Sequence, residues 1–326
     1  MIISRTPLRM SFVGGGSDLP SVYRIHGGAV VSTSIDKYVY VTVNKKFDEH
    51  IRVSYSKTEE VQSADQVEHK IVREVLKALE IPGGVEITSI ADIPSRGTGL
   101  GSSSAFTAGL LHALKAYKGQ YISAGDLAQQ SCEVEIERCE EPIGKQDQYA
   151  VCFGGFNLIT FHRDDTVSVD PIICDPKTLQ AVEANLVFFY TGITRSASEL
   201  LRRQQSTIEG DVKKQSLMLD LVRLAYAMRD ELHRNNAYAV GEILHESWML
   251  KKSITDGIST PVIDDWYRKA RAAGAVGGKL LGAGGGGFLV FFAPPEQHSA
   301  IAAALPELRQ VSFKFERSGS RIIFYS

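Results

Sequence analysis

The chain has 326 residues, of which 44% are hydrophobic and 23% charged, and its formal net charge is −2 at pH 7. This length accommodates two domains sharing a cleft. The near balance of charge provides no global field for nucleic acid or an anionic membrane, so a bound anion must be held by local amides and a few cations. No apolar run approaches the roughly 20 residues that span a bilayer, and the opening Met1-Ile2-Ile3-Ser4-Arg5 lacks the apolar core of a signal peptide. Cys132, Cys139, Cys152 and Cys174 form no C-x-x-C pair. They indicate neither a zinc site nor a disulfide framework, and they suit a reducing cytoplasm.

Residues 1–60 read as strands and turns, with β-branched and aromatic runs over 29–35 and 38–43 separated by a short polar break. Val67, Ile71, Val75 and Leu79 recur at helical spacing and predict a helix over 65–80. Residues 85–93 alternate as a strand and lead into the segment 94–105, after which a helix is expected from about Ser103 to Tyr117. A second helix starts after Ser123, with Asp126 placed as in a capping box, and covers 124–139. Residues 154–161 read as a return strand, and the polar stretch from His162 to Pro171 as the connection between domains 1–165 and 170–326. Helices follow at about 196–205, 211–234, 237–252 and 260–273, with strands near 185–191, 288–293, 311–316 and 321–325. This order indicates an α+β fold rather than a doubly wound parallel sheet.

The segment Pro94-Ser95-Arg96-Gly97-Thr98-Gly99-Leu100-Gly101-Ser102-Ser103-Ser104-Ala105 carries the most chemistry. Glycines at every second position running into serines and a helix expose backbone amides at a helix N-terminus, where the macrodipole favours a polyphosphate. The serines can cap the helix and offer hydroxyls to a phosphate-bound metal. A Walker loop is excluded, because no lysine stands between Gly101 and Ser102. Gly282, Gly284 and Gly287 match the dinucleotide spacing, but the strand-like Phe288–Phe292 follows where that motif requires a helix.

These twelve residues resemble the central motif of the GHMP kinases (galactokinase, homoserine kinase, mevalonate kinase and phosphomevalonate kinase). Two further motifs of that superfamily appear in order, at residues 5–18 (Arg-Thr-Pro-Leu-Arg-Met-Ser-Phe-Val-Gly-Gly-Gly-Ser-Asp) and 279–288 (Lys-Leu-Leu-Gly-Ala-Gly-Gly-Gly-Gly-Phe). The resemblance implies a two-domain fold with a cleft between an N-domain like ribosomal protein S5 domain 2 and a ferredoxin-like C-domain. It also implies an ATP-dependent kinase. Pro94, Arg96, Gly97, Thr98, Gly99, Leu100, Gly101, Ser102, Ser103 and Ser104 would then cradle the nucleotide.

The acidic run 133–141 reads mostly as a solvated face, with Glu135 the exception. On a helical wheel it shares a stripe with Ala128, Ser131, Cys132 and Cys139, and a carboxylate on that packed side needs a partner such as Mg²⁺. Gly144-Lys145-Gln146-Asp147-Gln148 resembles the segment that carries the catalytic aspartate in galactokinase-type members, with the metal-ligand glutamate twelve residues before it. That relation implies Asp147 as base, Arg9 as its cation, and Glu135 with Ser103 as Mg²⁺ ligands, Ser102 being the next candidate. Asp18 matches the acceptor for sugar hydroxyls, with Gly15, Gly16 and Ser17 beside it. The glycines at 284 and 285 are expected against phosphates and substrate.

Gly-Gly-Gly-Ser-Asp stands where galactokinases have Gly-Glu-His-Thr-Asp, and residues 26–30 and 35–38 resemble the D-glycero-D-manno-heptose 7-phosphate kinase subgroup. A substrate phosphate would call for distal cations, among which Lys37, Arg96, Lys145 and Arg195 lie near motifs. The runner-up is a fucokinase- or galactokinase-like sugar-1-kinase on an unphosphorylated sugar. A nucleotide- and sugar-binding sensor is disfavoured, because Arg9, Ser103, Glu135 and Asp147 are all present. Nothing favours a diphosphomevalonate decarboxylase. The eight histidines show no metal-ligand spacing. The partner is a small sugar or sugar phosphate, not nucleic acid or membrane, and the charged helical surface 199–235 also suits a contact between two copies.

Overall fold

The structure is a computed structural model that describes residues 1–94, 97–194 and 197–326. It opens with the long strand β1 (Ile2–Val13), a short helix α1 (Pro20–His26), and β2 (Gly28–Lys45) antiparallel to β1. The two strands expected over 29–43 are thus one. Pro7 pairs with Tyr38 while Leu8 pairs with Ile35, so Asp36 and Lys37 form a bulge in a continuous strand. The polar break persists as this irregularity, where Asp36 N donates to Lys314 O.

Next come β3 (Ile51–Ser54), β4 (Thr58–Val61), α2 (Lys70–Ala78), β5 (Val85–Ala91) and α3 (Ser102–Tyr117). The helix expected over 65–80 is α2, preceded by a 3₁₀ turn at Ala64–Gln66. The helix expected over 124–139 begins as α4 (Ala124–Cys132), capped by Ser123, and then widens into a π-helix over Glu133–Arg138. There Cys139 N reaches back five residues to Val134 O. A short helix α5 (Gln146–Phe153), not anticipated from periodicity, leads to β6 (Phe156–Phe161) and β7 (Val167–Pro171). β7 corrects the reading of 162–171 as a plain connection. It pairs with β6, and Val167 and Val169 cover the cluster of Tyr23, Val30, Ile159 and Phe161.

The second half contains α6 (Pro176–Ala184), β8 (Leu186–Tyr190), α7 (Ala197–Glu209), α8 (Val212–His233), α9 (Ala239–Lys252) and α10 (Pro261–Ala272). It continues with β9 (Gly277–Leu280), β10 (Phe288–Phe292), α11 (His298–Ala304), β11 (Arg309–Val311), β12 (Phe315–Glu316) and β13 (Arg321–Tyr325). Strands β11-β8-β10-β9 form an antiparallel sheet with the all-apolar β10 buried along its length, over a core that includes Phe189, Trp248, Ile263 and Phe291. The other sheet has the order β13-β1-β2-β5-β3-β4, with β6 and β12 also on β2. The strand expected over 311–316 is therefore two, one in each sheet. β12 and β13 return the end of the chain to the sheet in which it began. The fold is α+β. No helix among the described residues is long and apolar enough to cross a membrane.

Candidate active site

The phosphate-loop candidate crosses from β5 to α3. Gly97, Gly99 and Gly101 have φ of 70°, 74° and 74°, in the left-handed region that side chains avoid, which is why the alternation is glycine. Ala105 N makes the first helical bond, to Gly101 O. The amides of Ser102, Ser103 and Ser104 thus open α3 without intrahelical partners. All three serines, with Gly97, Thr98, Gly99 and Gly101, line one cavity, while Leu100 is buried behind them and Pro94 lines a second cavity. Ser102 and Ser103 belong to both cavities, so the two meet at the start of α3.

β1 brings Arg9 to this loop. Its backbone amide donates to Leu100 O at 3.0 Å and its Nη1 to Gly99 O at 2.7 Å. Nε and Nη2 grip the two oxygens of Asp147 at 2.8 and 2.7 Å, a bidentate charge-assisted pair. Arg9 is 4% exposed, whereas the Asp147 side chain is 25% exposed and faces the cavity from the first turn of α5.

Glu135 projects from the π-helix and is 0% exposed. Its oxygens accept from Ser103 Oγ (2.7 Å), Ser104 Oγ (2.7 Å) and Gln148 Nε2 (2.6 Å). Burial raises its pKa, and the three donors oppose that shift. Among its acidic neighbours, Glu137 and Glu140 are exposed as expected and Glu133 is half-buried. Glu141 departs from the expectation of a solvated face. It lines both cavities and accepts from Ser198 Oγ at 2.7 Å.

Asp18 is 2% exposed at the end of the glycine turn. It accepts from Gly16 N at 2.9 Å, Gln146 N at 3.2 Å and Gln146 Nε2 at 2.9 Å. Desolvation, with the Asp147 charge second, raises its pKa. Gly15 and Gly16 line the cavity beside it, while Ser17 does not, because its hydroxyl is bonded to the backbone of Ala29.

Several expected contacts lie elsewhere. Lys145 donates to Asp165 and stacks over Tyr23, and Lys37 lies by Asp36 over Phe313, so neither reaches the cavity. Arg96 and Arg195 fall outside the described residues. Gly284 and Gly285 pack against Ile258, with Gly285 N donating to Ile258 O, and do not line the cavity. In that segment it is Gly282 and Ala283 that line it. The glycines face main chain: a Cβ on Gly282 would stand 2.4 Å from Gly99 Cα, and one on Gly287 2.5 Å from Thr98 O. They let the third motif lie directly on the phosphate-loop candidate.

Two family models match the chain, GHMP kinases N terminal domain over residues 54–155 and GHMP kinases C terminal over residues 228–309. A D-glycero-alpha-D-manno-heptose 7-phosphate kinase of Campylobacter jejuni is 30% identical over 298 residues, covering 87% of this chain and 86% of its own. The chain is a GHMP kinase. A galactokinase of Pyrococcus furiosus is 26% identical, over 96% of this chain and 94% of its own. A solved structure described as a D-glycero-D-manno-heptose 1-phosphate kinase from Bacteroides thetaiotaomicron superposes with a TM-score of 0.80 at 24% identity, covering 100% of both chains. GHMP kinases take the phosphoryl group from ATP.

The cavity of this GHMP kinase also contains residues the sequence did not single out. Ser11 Oγ, Gln146 Oε1 and Gln204 Nε2 are buried, line the cavity and have no hydrogen-bond partner among the described residues. Lys251 and Lys279 line it as well. Gln146 lies one residue before Asp147 and Lys279 opens the third motif, so their neighbourhoods were visible. Gln204 and Lys251 sit on amphipathic helices, where polar residues ordinarily read as solvated.

Proposed function

We propose that this GHMP kinase transfers the γ-phosphoryl group of ATP to the anomeric C1 hydroxyl of D-glycero-D-manno-heptose 7-phosphate, giving the 1,7-bisphosphate and ADP. The observation that carries a sugar acceptor is the trio of polar atoms on Ser11, Gln146 and Gln204 that find no partner among the described residues, in the cavity that also holds Asp18, Asp147 and the loop. A polyhydroxylated ligand meets such groups with donors and acceptors of its own. The Campylobacter relative supports a heptose phosphate.

In this reading the amides of residues 97–104 hold the ATP phosphates, and the second cavity, where Tyr55 meets His69 edge-on and His69 is tilted against Phe106, receives the nucleoside. Asp147 orients the C1 hydroxyl and accepts its proton as the new O–P bond forms and the bond to ADP breaks. Arg9 keeps Asp147 in place. Asp18 and the Gly15-Gly16 turn bind sugar hydroxyls. The oxygen donors of Ser103 and Glu135 lie 2.7 Å apart beside the loop, a hard-ligand set that suits Mg²⁺. When bound, Mg²⁺ neutralises phosphate charge. The reading further takes the chain as an N-terminal ATP-binding domain over 1–165 and a C-terminal GHMP domain over 170–326, with the terminal strands returned to the first sheet, and as a cytoplasmic protein able to pair with a second copy.

The deciding experiment is ATP turnover by the wild-type protein against a panel of sugars and sugar phosphates. The heptose 7-phosphate is expected to give the highest kcat/KM. Clear preference for an unphosphorylated hexose replaces the heptose assignment with a galactokinase- or fucokinase-like one.

The metal reading has its own check in Glu135→Gln. The glutamine oxygen can still accept from Ser104 and Gln148 while its amide donates to the Ser103 hydroxyl, but the site loses its anionic oxygen. Since loss of even an outer partner weakens metal sites about 10–100-fold, the Mg²⁺ concentration for half-maximal rate should rise at least tenfold. An unaltered Mg²⁺ dependence rejects Glu135 as a ligand.

A further inference from the structure

Lys251 and Lys252 close helix α9, where lysines normally face water and complement the helix dipole. Lys252 behaves so, its Nζ meeting Asp264 at 2.8 Å near the surface. Lys251 does not. It is 6% exposed, lines the cavity with Arg9, Asp18 and Asp147, and donates from Nζ to Gly282 O at 2.8 Å. No carboxylate among the described residues lies within ion-pairing distance of it. Asp18 is occupied by amide donors and Asp147 by Arg9. An ammonium has three donors, and among the described residues this one meets a single carbonyl.

Lys279 makes the contrast clear. It is equally buried, but its Nζ clasps Ser11 O at 2.9 Å and Phe12 O at 2.8 Å, tying β9 to β1. Among the described residues that line the cavity, Lys251 is the cation left open. The carbonyl that holds it belongs to Gly282, which abuts Gly99 of the phosphate loop. Its ammonium therefore lies at the seam between the third motif and the loop.

We propose that Lys251 contacts the phosphoryl group in transit from ATP to the acceptor, supplying a positive charge that Arg9, neutralised by Asp147, does not. This rests on the reading of the cavity as the phosphoryl-transfer site. In a loose transition state the charge spreads over the peripheral oxygens of the transferred group, and a compact ammonium with free donors matches them. Lys251 exchanges no proton in the step. The charged groups facing it are Asp18 beyond β1, Arg9 on β1, Asp147 on α5 and Lys279 on β9. Burial lowers its pKa to about 8, so the free protein loses this charge as pH rises through that range.

The test compares wild type with Lys251→Gln and Lys251→Arg. Wild-type kcat/KM should fall above about pH 8. In Lys251→Arg, which stays charged, that limb should move to higher pH, and in Lys251→Gln it should vanish. Lys251→Gln should also lose about 10²-fold in kcat, the order found for removing one transition-state donor, with little change in the KM of the sugar phosphate. Calorimetric titration with the non-hydrolysable analogue AMP-PNP at pH 8.5, in buffers of different ionisation enthalpy, adds a readout independent of turnover. Wild type should take up more of a proton than Lys251→Arg, because the part of its ammonium that is neutral at this pH must charge against the phosphates. Equal proton uptake, or a basic limb that persists in Lys251→Gln, overturns the proposal. So does a raised KM for the sugar phosphate with kcat intact, which assigns Lys251 to the phosphate of the acceptor. A wrong acceptor would show separately in the wild-type sugar panel, leaving the analogue's proton count untouched.

Discussion

Asp147→Asn should lower kcat by about 10²–10⁴, the range typical of losing a general base, while nucleotide affinity survives. The asparagine preserves side-chain shape and can still accept one hydrogen bond from Arg9, but its amide cannot take a proton from the acceptor hydroxyl. It also turns an N–H₂ toward a guanidinium that now grips both carboxylate oxygens at 2.7–2.8 Å. The damage should stay local, because Arg9 remains anchored by Gly99 O and by its own backbone bond to Leu100 O. Single-turnover kinetics with ATP and calorimetric titration with nucleotide separate the two effects. Near-native turnover would refute the base role and leave the loop assignment standing.

The second large effect is expected from Gly99→Ala and Gly282→Ala, which address one contact from its two sides. Gly99 has φ of 74° and a Cβ there would lie 2.4 Å from Leu281 O. Gly282 has φ of 76° and its Cβ would lie 2.4 Å from Gly99 Cα. Left-handed backbone costs a non-glycine residue about 1–2 kcal/mol, and neither clash can be relieved by rotating a side chain, since both opposing atoms are main chain. The loop and the third motif must part by an appreciable fraction of an ångström. Misplacement of about 1 Å costs on the order of 10²-fold in rate, so kcat/KM should drop by about that much, with a lowered Tm. Gly119→Ala is the control. Its φ is 69° but nothing lies within 4 Å of the added Cβ, so it should lower Tm modestly and leave kcat/KM unchanged. Equal kinetics for all three variants would dismiss the packing argument.

Local chemistry made part of this protein legible in advance. Alternating glycines running into a helix specify a left-handed, amide-presenting turn at its start, because φ preference acts within a residue, although the N-cap is Gly101 and no serine side chain caps the helix. The stripe that set Glu135 apart from Glu137 works at similar range, and Glu135 is indeed buried while Glu137 is exposed. Its partners were beyond that range. The hydroxyls of Ser103 and Ser104 and the amide of Gln148 approach it from other helices, and the π-helix that aims it has no periodic signature of its own.

The amino-acid sequence by itself determined the glycine–serine loop at the start of α3, the order of the three motifs, the α+β class and the apolar strand β10. Each is written in neighbouring residues. The tertiary structure alone decided that Lys145 serves Asp165 while Lys251 enters the cavity, that the glycines of the third motif press on Gly99, and that β13 completes the first sheet beside β1. A lysine on a helix carries no mark of whether it will meet water or a cleft. That outcome depends on which element is packed over it, and the packing is fixed by burial summed over contacts hundreds of residues apart.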